Sequence, residues 1–136
     1  MSINYPDFIV IDDSRLDCFI SQKIINTTCQ NATVQSFIDA ADALDEILIR
    51  QNGSVKNLTI ILLDIQMPVM NGFDFADAFE NLSDIIKSGY IIYMVTSSTN
   101  ESDLIRARNY PSIRHLYNKP LTKSVILEII NTSYTN

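Results

Sequence analysis

The stretch Ile60-Ile-Leu-Leu-Asp64-Ile-Gln-Met-Pro68-Val-Met-Asn-Gly72 joins a short apolar run to a single carboxylate and then to a loop marked by proline and glycine. Large aliphatic residues in a row, bounded by turn-forming residues, are typical of a strand that is buried on both faces of a sheet. An ionised carboxylate beside such a strand loses hydration, so it tends to be paired, metal-bound or used in chemistry. Asp64 is therefore the first candidate functional residue.

The same kind of apolar run recurs along the chain and alternates with segments of helical spacing. Further strands are predicted at residues 8–11, 34–38, 90–95 and 113–117. Near-continuous apolar strands that alternate with helices indicate a parallel sheet covered on both faces. The sequence predicts an α/β fold with five helices around one doubly wound, five-stranded parallel sheet in the strand order 2-1-3-4-5.

Capping residues mark where several of the helices begin. The predicted starts are Ser14 with Asp17 three residues later, Asp39, Ser98 with Glu101 three residues later, and Thr122. Side-chain oxygens of Ser, Thr and Asp accept hydrogen bonds from the free amides of the first turn, which is why these residue types are favoured there.

Bulk composition limits the class of protein. A chain of 136 residues with 46% hydrophobic residues fits one domain with a sizeable core. The formal net charge of −6 argues against direct binding to nucleic acid, which depends on clustered Lys and Arg. No signal segment and no run of the length that spans a bilayer is found. We expect a soluble, cytoplasmic protein with no membrane insertion.

The polar residues that follow the predicted strands all belong to one edge of the sheet. Asp12 and Asp13 follow the first strand, Asp64 the third, Thr96 the fourth and Lys119 the fifth. Each has an ordinary explanation by itself, as a helix cap, a loop carboxylate or a solvated charge. In doubly wound sheets, however, ligands bind outside the carboxyl ends of the strands. Their coincidence at that edge favours a common site.

Three converging carboxylates require a cation. Two unit charges about 4 Å apart repel by roughly 4 kcal/mol at an effective dielectric constant of about 20. Oxygen ligands without paired His or Cys select Mg²⁺ or a similar ion, which readily shares phosphate oxygens. With Thr96 and Lys119 holding the remaining oxygens, such a site could transfer a phosphoryl group to Asp64 and form an acyl phosphate.

Four segments of the sequence resemble the signature segments of the receiver domain of bacterial two-component response regulators. They are Ile9-Val-Ile-Asp12-Asp13-Ser14, Leu62-Leu-Asp64-Ile-Gln-Met67-Pro68-Val-Met-Asn-Gly72, Val95-Thr96-Ser97-Ser98 and Asn118-Lys119-Pro120. Each is weak by itself, but their order and spacing are highly specific. The resemblance implies a flavodoxin-like fold and a single receiver domain over residues 1–136, with its core at about 7–134 and no output domain.

The resemblance also implies a role for each residue of the acidic cluster. Asp64 would be the phosphoacceptor. Asp13 would bind Mg²⁺ directly, Asp12 mainly through water, and Asp64 together with the backbone carbonyl of Gln66 would complete the protein's ligands. Met67-Pro68 and Gly72 would shape the loop beside the acceptor.

Residues at the ends of the fourth and fifth strands would connect the site to the rest of the domain. The resemblance makes Thr96 the switch hydroxyl and Lys119 the lysine that pairs with the phosphoryl group, with a cis peptide bond before Pro120. Relatives commonly carry Tyr or Phe three residues before the lysine, where this chain has Leu116. Tyr117 is adjacent, but strand alternation places it on the opposite face of the sheet. We therefore expect phosphorylation without the usual movement of an aromatic ring.

The partners that the resemblance implies are proteins. The phosphoryl donor would be a phosphohistidine on a sensor histidine kinase or a histidine phosphotransfer protein. The receiver would not be an enzyme in the usual sense, although it would promote its own Mg²⁺-dependent phosphorylation and dephosphorylation. A downstream protein target would bind the fourth helix, fifth strand and fifth helix, at about residues 98–131.

Three other functions are compatible with parts of the sequence. A haloacid-dehalogenase-like phosphatase requires Asp-x-Asp after the first strand, whereas this chain has Asp12-Asp13-Ser14. A flavin or dinucleotide binder requires a glycine-rich phosphate loop, and the three glycines of this chain are scattered singly. The alternative that stays open is a degenerate receiver that acts as a phosphate-independent docking module.

Overall fold

One parallel sheet organises the chain. The computed structural model describes residues 5–50, 58–97 and 100–134. The strands are β1 (Asp7–Ile11), β2 (Val34–Phe37), β3 (Thr59–Asp64), β4 (Tyr90–Thr96) and β5 (Ile113–Asn118). The helices are α1 (Arg15–Thr28), α2 (Ala40–Arg50), α3 (Gly72–Glu80), α4 (Asp84–Lys87), α5 (Glu101–Arg108) and α6 (Lys123–Ser133).

The strand order is β2-β1-β3-β4-β5, and every neighbouring pair is parallel. This confirms the predicted doubly wound α/β sheet of flavodoxin-like topology. Because the winding reverses between β1 and β3, the carboxyl ends of these two strands border the crevice in which such folds bind their ligands.

The apolar run that predicted β3 lies at the centre of the sheet, and every residue of β3 is buried. Side chains along the strand alternate between two cores. Ile61 and Leu63 pack with residues of α2, α3 and α5, whereas Ile60 and Leu62 pack with residues of α1 and α6. Burial on both faces is the physical reason that β3 is apolar without interruption.

Three of the predicted helix starts are confirmed. Ser14 caps α1 and accepts a hydrogen bond from the Asp17 amide at 3.1 Å. The Asp39 carboxylate accepts one from the Ala41 amide at 2.8 Å, at the start of α2. Thr122 caps α6. The side-chain chemistry of the first turn therefore sets these boundaries.

Two predictions about helices were wrong. Glu101 is the first residue of α5, because Asn100 caps that helix and accepts from the Asp103 amide at 2.8 Å. Ser98, the predicted cap, lies outside the described residues. The short helix α4, capped by Ser83, was not predicted at all. A single turn is too short to display an apolar period in the sequence.

Within the described ranges, none of the helices combines the length and the apolar character that crossing a bilayer requires.

Candidate functional site

The carboxyl edge of the sheet brings the predicted site residues together. Asp12 follows β1 directly, Asp64 and Thr96 are the last residues of β3 and β4, and Lys119 follows β5. Asp12, Asp64 and Thr96 are buried, and Asp13 is exposed. A buried polar residue at the end of each of three strands makes this edge the candidate functional site, because burial of polar groups is costly without partners.

The acidic cluster has a geometry that fits a metal ion. Asp12, Asp13 and Asp64 each offer a carboxylate oxygen, and these oxygens lie within 4.8 Å of one another. A donor set made only of oxygens, two from buried residues and one from an exposed residue, suits a hard cation that keeps part of its hydration shell. The three residues present therefore fit Mg²⁺. The backbone carbonyl of Gln66 stays a predicted ligand.

Lys119 supplies a positive charge to this cluster. Its Nζ lies 2.6 Å from Asp12 Oδ2, 2.9 Å from Asp17 Oδ2 and 3.8 Å from Asp64 Oδ1. Burial alone would lower the pKa of Lys119, but the hydrogen bonds to Asp12 and Asp17 and the charge of Asp64 raise it above its usual value. The ammonium group therefore stays charged and is bound on the α1 side of the cluster.

Asp64 is held in an environment that disfavours its charge. Burial, followed by the negative charge of Asp12, raises the pKa of Asp64 to about 6. The charge of Asp13 acts in the same direction, while Lys119 and the Ile65 amide act against it. A carboxylate whose pKa is strongly shifted by burial and by specific charged neighbours is a candidate functional group.

This pKa predicts a pH-dependent stability difference between the wild type and Asp64→Asn. Without metal, we expect the variant to be more stable at pH above about 7, by about 3 kcal/mol, because the folded wild type must hold a charge that the unfolded chain hydrates freely. Between about pH 4 and pH 6 the folded protein binds one more proton than the unfolded chain, because the pKa of Asp64 is raised only in the folded state. The stability of the wild type therefore falls as pH rises through that window.

Urea denaturation of both proteins in EDTA at several pH values measures this difference. It should be small near pH 4 and reach its full size near pH 7. Asp45→Asn, an exposed substitution on α2, is the control and should change little at any pH. A difference between wild type and Asp64→Asn that does not vary with pH would contradict the assignment.

The ends of β4 and β5 are joined beside the acidic cluster. The Lys119 amide donates a hydrogen bond to the Thr96 carbonyl at 2.7 Å, and Thr96 pairs in register with Asn118. The peptide bond between Lys119 and Pro120 is cis, as predicted. The residue assigned as the switch hydroxyl and the residue assigned as the phosphoryl-binding lysine are thus directly linked through the backbone.

The loop after Asp64 is closed by Gly72. The Gly72 amide donates to the Ile65 carbonyl at 2.8 Å. A Cβ atom built on Gly72 would lie 2.5 Å from the Asp64 carbonyl oxygen and 3.0 Å from Ile65 Cα. Asn71 and Asp74 then form a reciprocal capping box that starts α3. Only glycine allows the helix to begin this close to Asp64.

Val69 is strained within the same loop. Its φ is 67°, its side chain is fully exposed at 106% of the reference area, and the Met70 amide donates to the Pro68 carbonyl at 2.7 Å across it. A hydrogen bond between residues two apart defines a γ-turn, which is rare and strained when the central φ is positive. For a β-branched residue, a positive φ is a genuine outlier.

We expect Val69→Asn to stabilise the folded protein by about 1 kcal/mol, because Asn is enriched at positive φ and no buried contact is lost. Chemical denaturation measures the gain. Val69→Ile, which keeps the β-branch, is the matched control and should give no gain. An Asn variant no more stable than the wild type would show that the turn is not strained.

The fifth strand confirms the predicted alternation. Leu116 is buried in the core beneath α2, α3 and α5, whereas Tyr117 packs on the α1 and α6 side, where its hydroxyl donates to Glu128 at 2.7 Å. His115 is exposed, with its ring centroid 4.6 Å from that of Tyr117. Leu116 therefore occupies the inward position, and the aromatic ring beside it points away from that core.

Sequence reasoning did not assign Asp17 to the site. It was expected only as a residue of the first turn of α1, yet its carboxylate is an ion-pair partner of Lys119. A signal was present, because Asp17 lies in the first turn of the helix that begins just after Asp12 and Asp13, and this turn lies at the same edge of the sheet. Pairing with a lysine so distant in sequence could not be read from local spacing.

This fold and this site define a class: a doubly wound α/β domain with an acidic cluster, a buried hydroxyl and a lysine at the carboxyl ends of its strands. The family model described as response regulator receiver domain matches residues 8–131. The chain belongs to that family, whose members act in two-component systems. Receiver domains bind Mg²⁺ at an acidic pocket, and they interact with histidine kinases or phosphotransfer proteins and with downstream targets.

Solved structures of response regulators resemble this chain. A response regulator receiver protein from Dyadobacter fermentans is 30% identical, with 96% of this chain and 98% of that chain covered and a TM-score of 0.84. A two-component response regulator from Cytophaga hutchinsonii is 23% identical, with 98% and 100% covered and a TM-score of 0.89. The chemotaxis protein CheY4 from Vibrio cholerae is 19% identical, with 95% and 98% covered and a TM-score of 0.74. Among curated proteins, no match to the chain was found.

Proposed function

We propose that this chain is a cytoplasmic response regulator receiver that accepts a phosphoryl group on Asp64 and signals through phosphorylation-dependent binding to another protein. The donor is a phosphohistidine on a sensor histidine kinase or a histidine phosphotransfer protein. The observation that carries the proposal is the convergence of Asp12, Asp13, Asp64 and Lys119 at one edge of the sheet.

The transfer step moves one phosphoryl group between two proteins. A carboxylate oxygen of Asp64 attacks phosphorus, the bond between phosphorus and the donor imidazole nitrogen breaks, and that nitrogen keeps the electron pair. The product on this chain is an acyl phosphate. Because the nucleophile must be ionised, the raised pKa of Asp64 is an obstacle that a nearby cation relieves.

Asp12, Asp13, Asp64 and the Gln66 carbonyl would hold Mg²⁺. The bound ion supplies positive charge that offsets the acidic cluster and the transferred phosphoryl group. The ammonium group of Lys119 and the hydroxyl of Thr96 bind phosphoryl oxygens as charge spreads over them in the loose transition state. The chain thereby promotes its own phosphorylation without being an enzyme in the usual sense.

The signal passes to the surface formed by α5, β5 and α6. These elements are the predicted fourth helix, fifth strand and fifth helix, at about residues 98–131. The hydrogen bond between Lys119 and Thr96 couples the site to the end of β5. Ile105 on α5 and Leu127 on α6 are large apolar side chains with 53% and 45% exposure, which supports a protein partner there. Phosphorylation would shift the population of conformers on this surface, with Leu116 in place of an aromatic ring.

The experiment is incubation of the purified protein with acetyl phosphate, with Mg²⁺ or with EDTA, followed by intact mass measurement. The proposal predicts one added phosphoryl group with Mg²⁺ and none with EDTA. No adduct in either condition would support the phosphate-independent docking module. No feature of the site favours that alternative, because the acceptor, both acids of the pair and the lysine are all present.

A further inference from the structure

Asp17 does not use its carboxylate to cap its own helix. Ser14 accepts from the Asp17 amide at 3.1 Å, and a reciprocal capping box would have the Asp17 side chain accept from the Ser14 amide. That amide donates instead to Asp12 Oδ1 at 3.0 Å. The Asp17 carboxylate reaches Lys119, to which it is hydrogen-bonded at 2.9 Å.

This pairing determines where the ammonium group of Lys119 points. Its two hydrogen bonds, to Asp12 and Asp17, are 2.6 Å and 2.9 Å long, whereas Asp64 Oδ1 lies 3.8 Å away, beyond hydrogen-bond distance. An ammonium has three donors on one flexible stem. A phosphoryl oxygen on Asp64 must therefore draw the group from the α1 side toward β3.

We propose that Asp17 is a positioning residue that holds Lys119 toward α1 and competes with the phosphoryl group for its ammonium. This rests on the proposed function and adds a regulatory element to the same site. The Asp17 side chain is 39% exposed, so its ion pair is of moderate strength and can be broken when a better acceptor is present. Asp17 thereby limits how strongly the phosphorylated form is stabilised.

The test measures two affinities by titration: that for Mg²⁺ alone, and that for beryllofluoride, a stand-in for the phosphoryl group, at saturating Mg²⁺. For Asp17→Asn we expect beryllofluoride to bind about threefold to tenfold more tightly, because Lys119 is released toward Asp64. Mg²⁺ alone should bind about twofold more weakly, because one negative charge is lost and the freed ammonium approaches the cluster. Impaired folding would weaken both.

Two variants control for other effects. Asp17→Glu keeps the charge and can still reach Lys119, so it should stay close to the wild type in both affinities. Asp39→Asn removes a negative charge from the same edge of the sheet and keeps a residue that caps α2. It should leave beryllofluoride affinity within about twofold of the wild type at physiological salt, because Lys119 is hydrogen-bonded to Asp12 and Asp17 and the exposed charge of Asp39 is screened by salt.

The outcomes separate this inference from the proposed function. If the wild type binds no beryllofluoride, the proposed function fails. If the wild type binds and Asp17→Asn binds equally or more weakly, only the positioning role is overturned. An equal gain in beryllofluoride affinity in Asp17→Asn and Asp39→Asn would also overturn the positioning role. The gain would then come from the change in net charge and not from loss of the contact with Lys119.

Discussion

An Asp64→Asn variant is expected to take up no phosphoryl group from acetyl phosphate under conditions in which the wild type is fully modified, a loss of at least about a hundredfold in rate. The amide nitrogen that replaces one carboxylate oxygen is not a nucleophile, and the group can no longer form an acyl phosphate. The loss cannot be attributed to misfolding, because removal of the buried charge is expected to stabilise the metal-free protein. Intact mass over time measures the rate.

The matched control is Asp45→Asn, which removes an exposed carboxylate from α2 and should be modified at the wild-type rate. Asp13→Asn tests the metal part of the proposal and should lower the rate at limiting Mg²⁺, with partial recovery at high Mg²⁺. Modification of Asp64→Asn at the wild-type rate would show that the phosphoryl group is carried elsewhere.

Gly72→Ala is expected to destabilise the fold by about 3 kcal/mol and to slow phosphorylation as well. Its Cβ would lie 2.5 Å from the Asp64 carbonyl oxygen, a backbone atom that has no rotamer with which to move away. Either the start of α3 or the end of β3 must shift, and a shift of β3 displaces Asp64, the proposed acceptor. In an ordinary helix the same substitution stabilises, so the expected sign is diagnostic.

Denaturant unfolding measures the loss of stability in Gly72→Ala, and the acetyl phosphate assay measures its rate of phosphorylation. Asn71→Ser, one residue earlier, is the control, because serine also caps helices and adds no atom near Asp64. It should cost less than about 1 kcal/mol. Stability in Gly72→Ala equal to or above that of the wild type would mean that α3 does not start against β3.

Much of the fold was predictable because its decisive element is buried on both faces. β3 is apolar without interruption up to Asp64, so its position and its parallel neighbours followed from sequence alone. The meeting of Asp12, Asp13 and Asp64 at one edge of the sheet followed from the same topology. The facing directions of Leu116 and Tyr117 were predictable for a similar reason, since strand alternation has a period of two.

What could not be predicted depends on contacts between distant residues or on very short segments. The single turn α4 has no apolar period, and the sequence offers both Ser98 and Asn100 as caps of α5. The ion pair between Asp17 and Lys119 joins residues 102 positions apart, and only the folded sheet brings them together. The strained turn at Val69 was also hidden, because nothing in its residue type indicates a positive φ.

The position of the phosphoryl group shows directly whether Asp64 is the acceptor. Protein treated with acetyl phosphate and Mg²⁺ is reduced with borohydride, which converts an aspartyl phosphate to homoserine, and is then digested and sequenced by mass spectrometry. We expect homoserine at position 64 and at no other aspartate. Homoserine at another aspartate, or phosphate retained on a hydroxyl or on His115, would contradict that assignment.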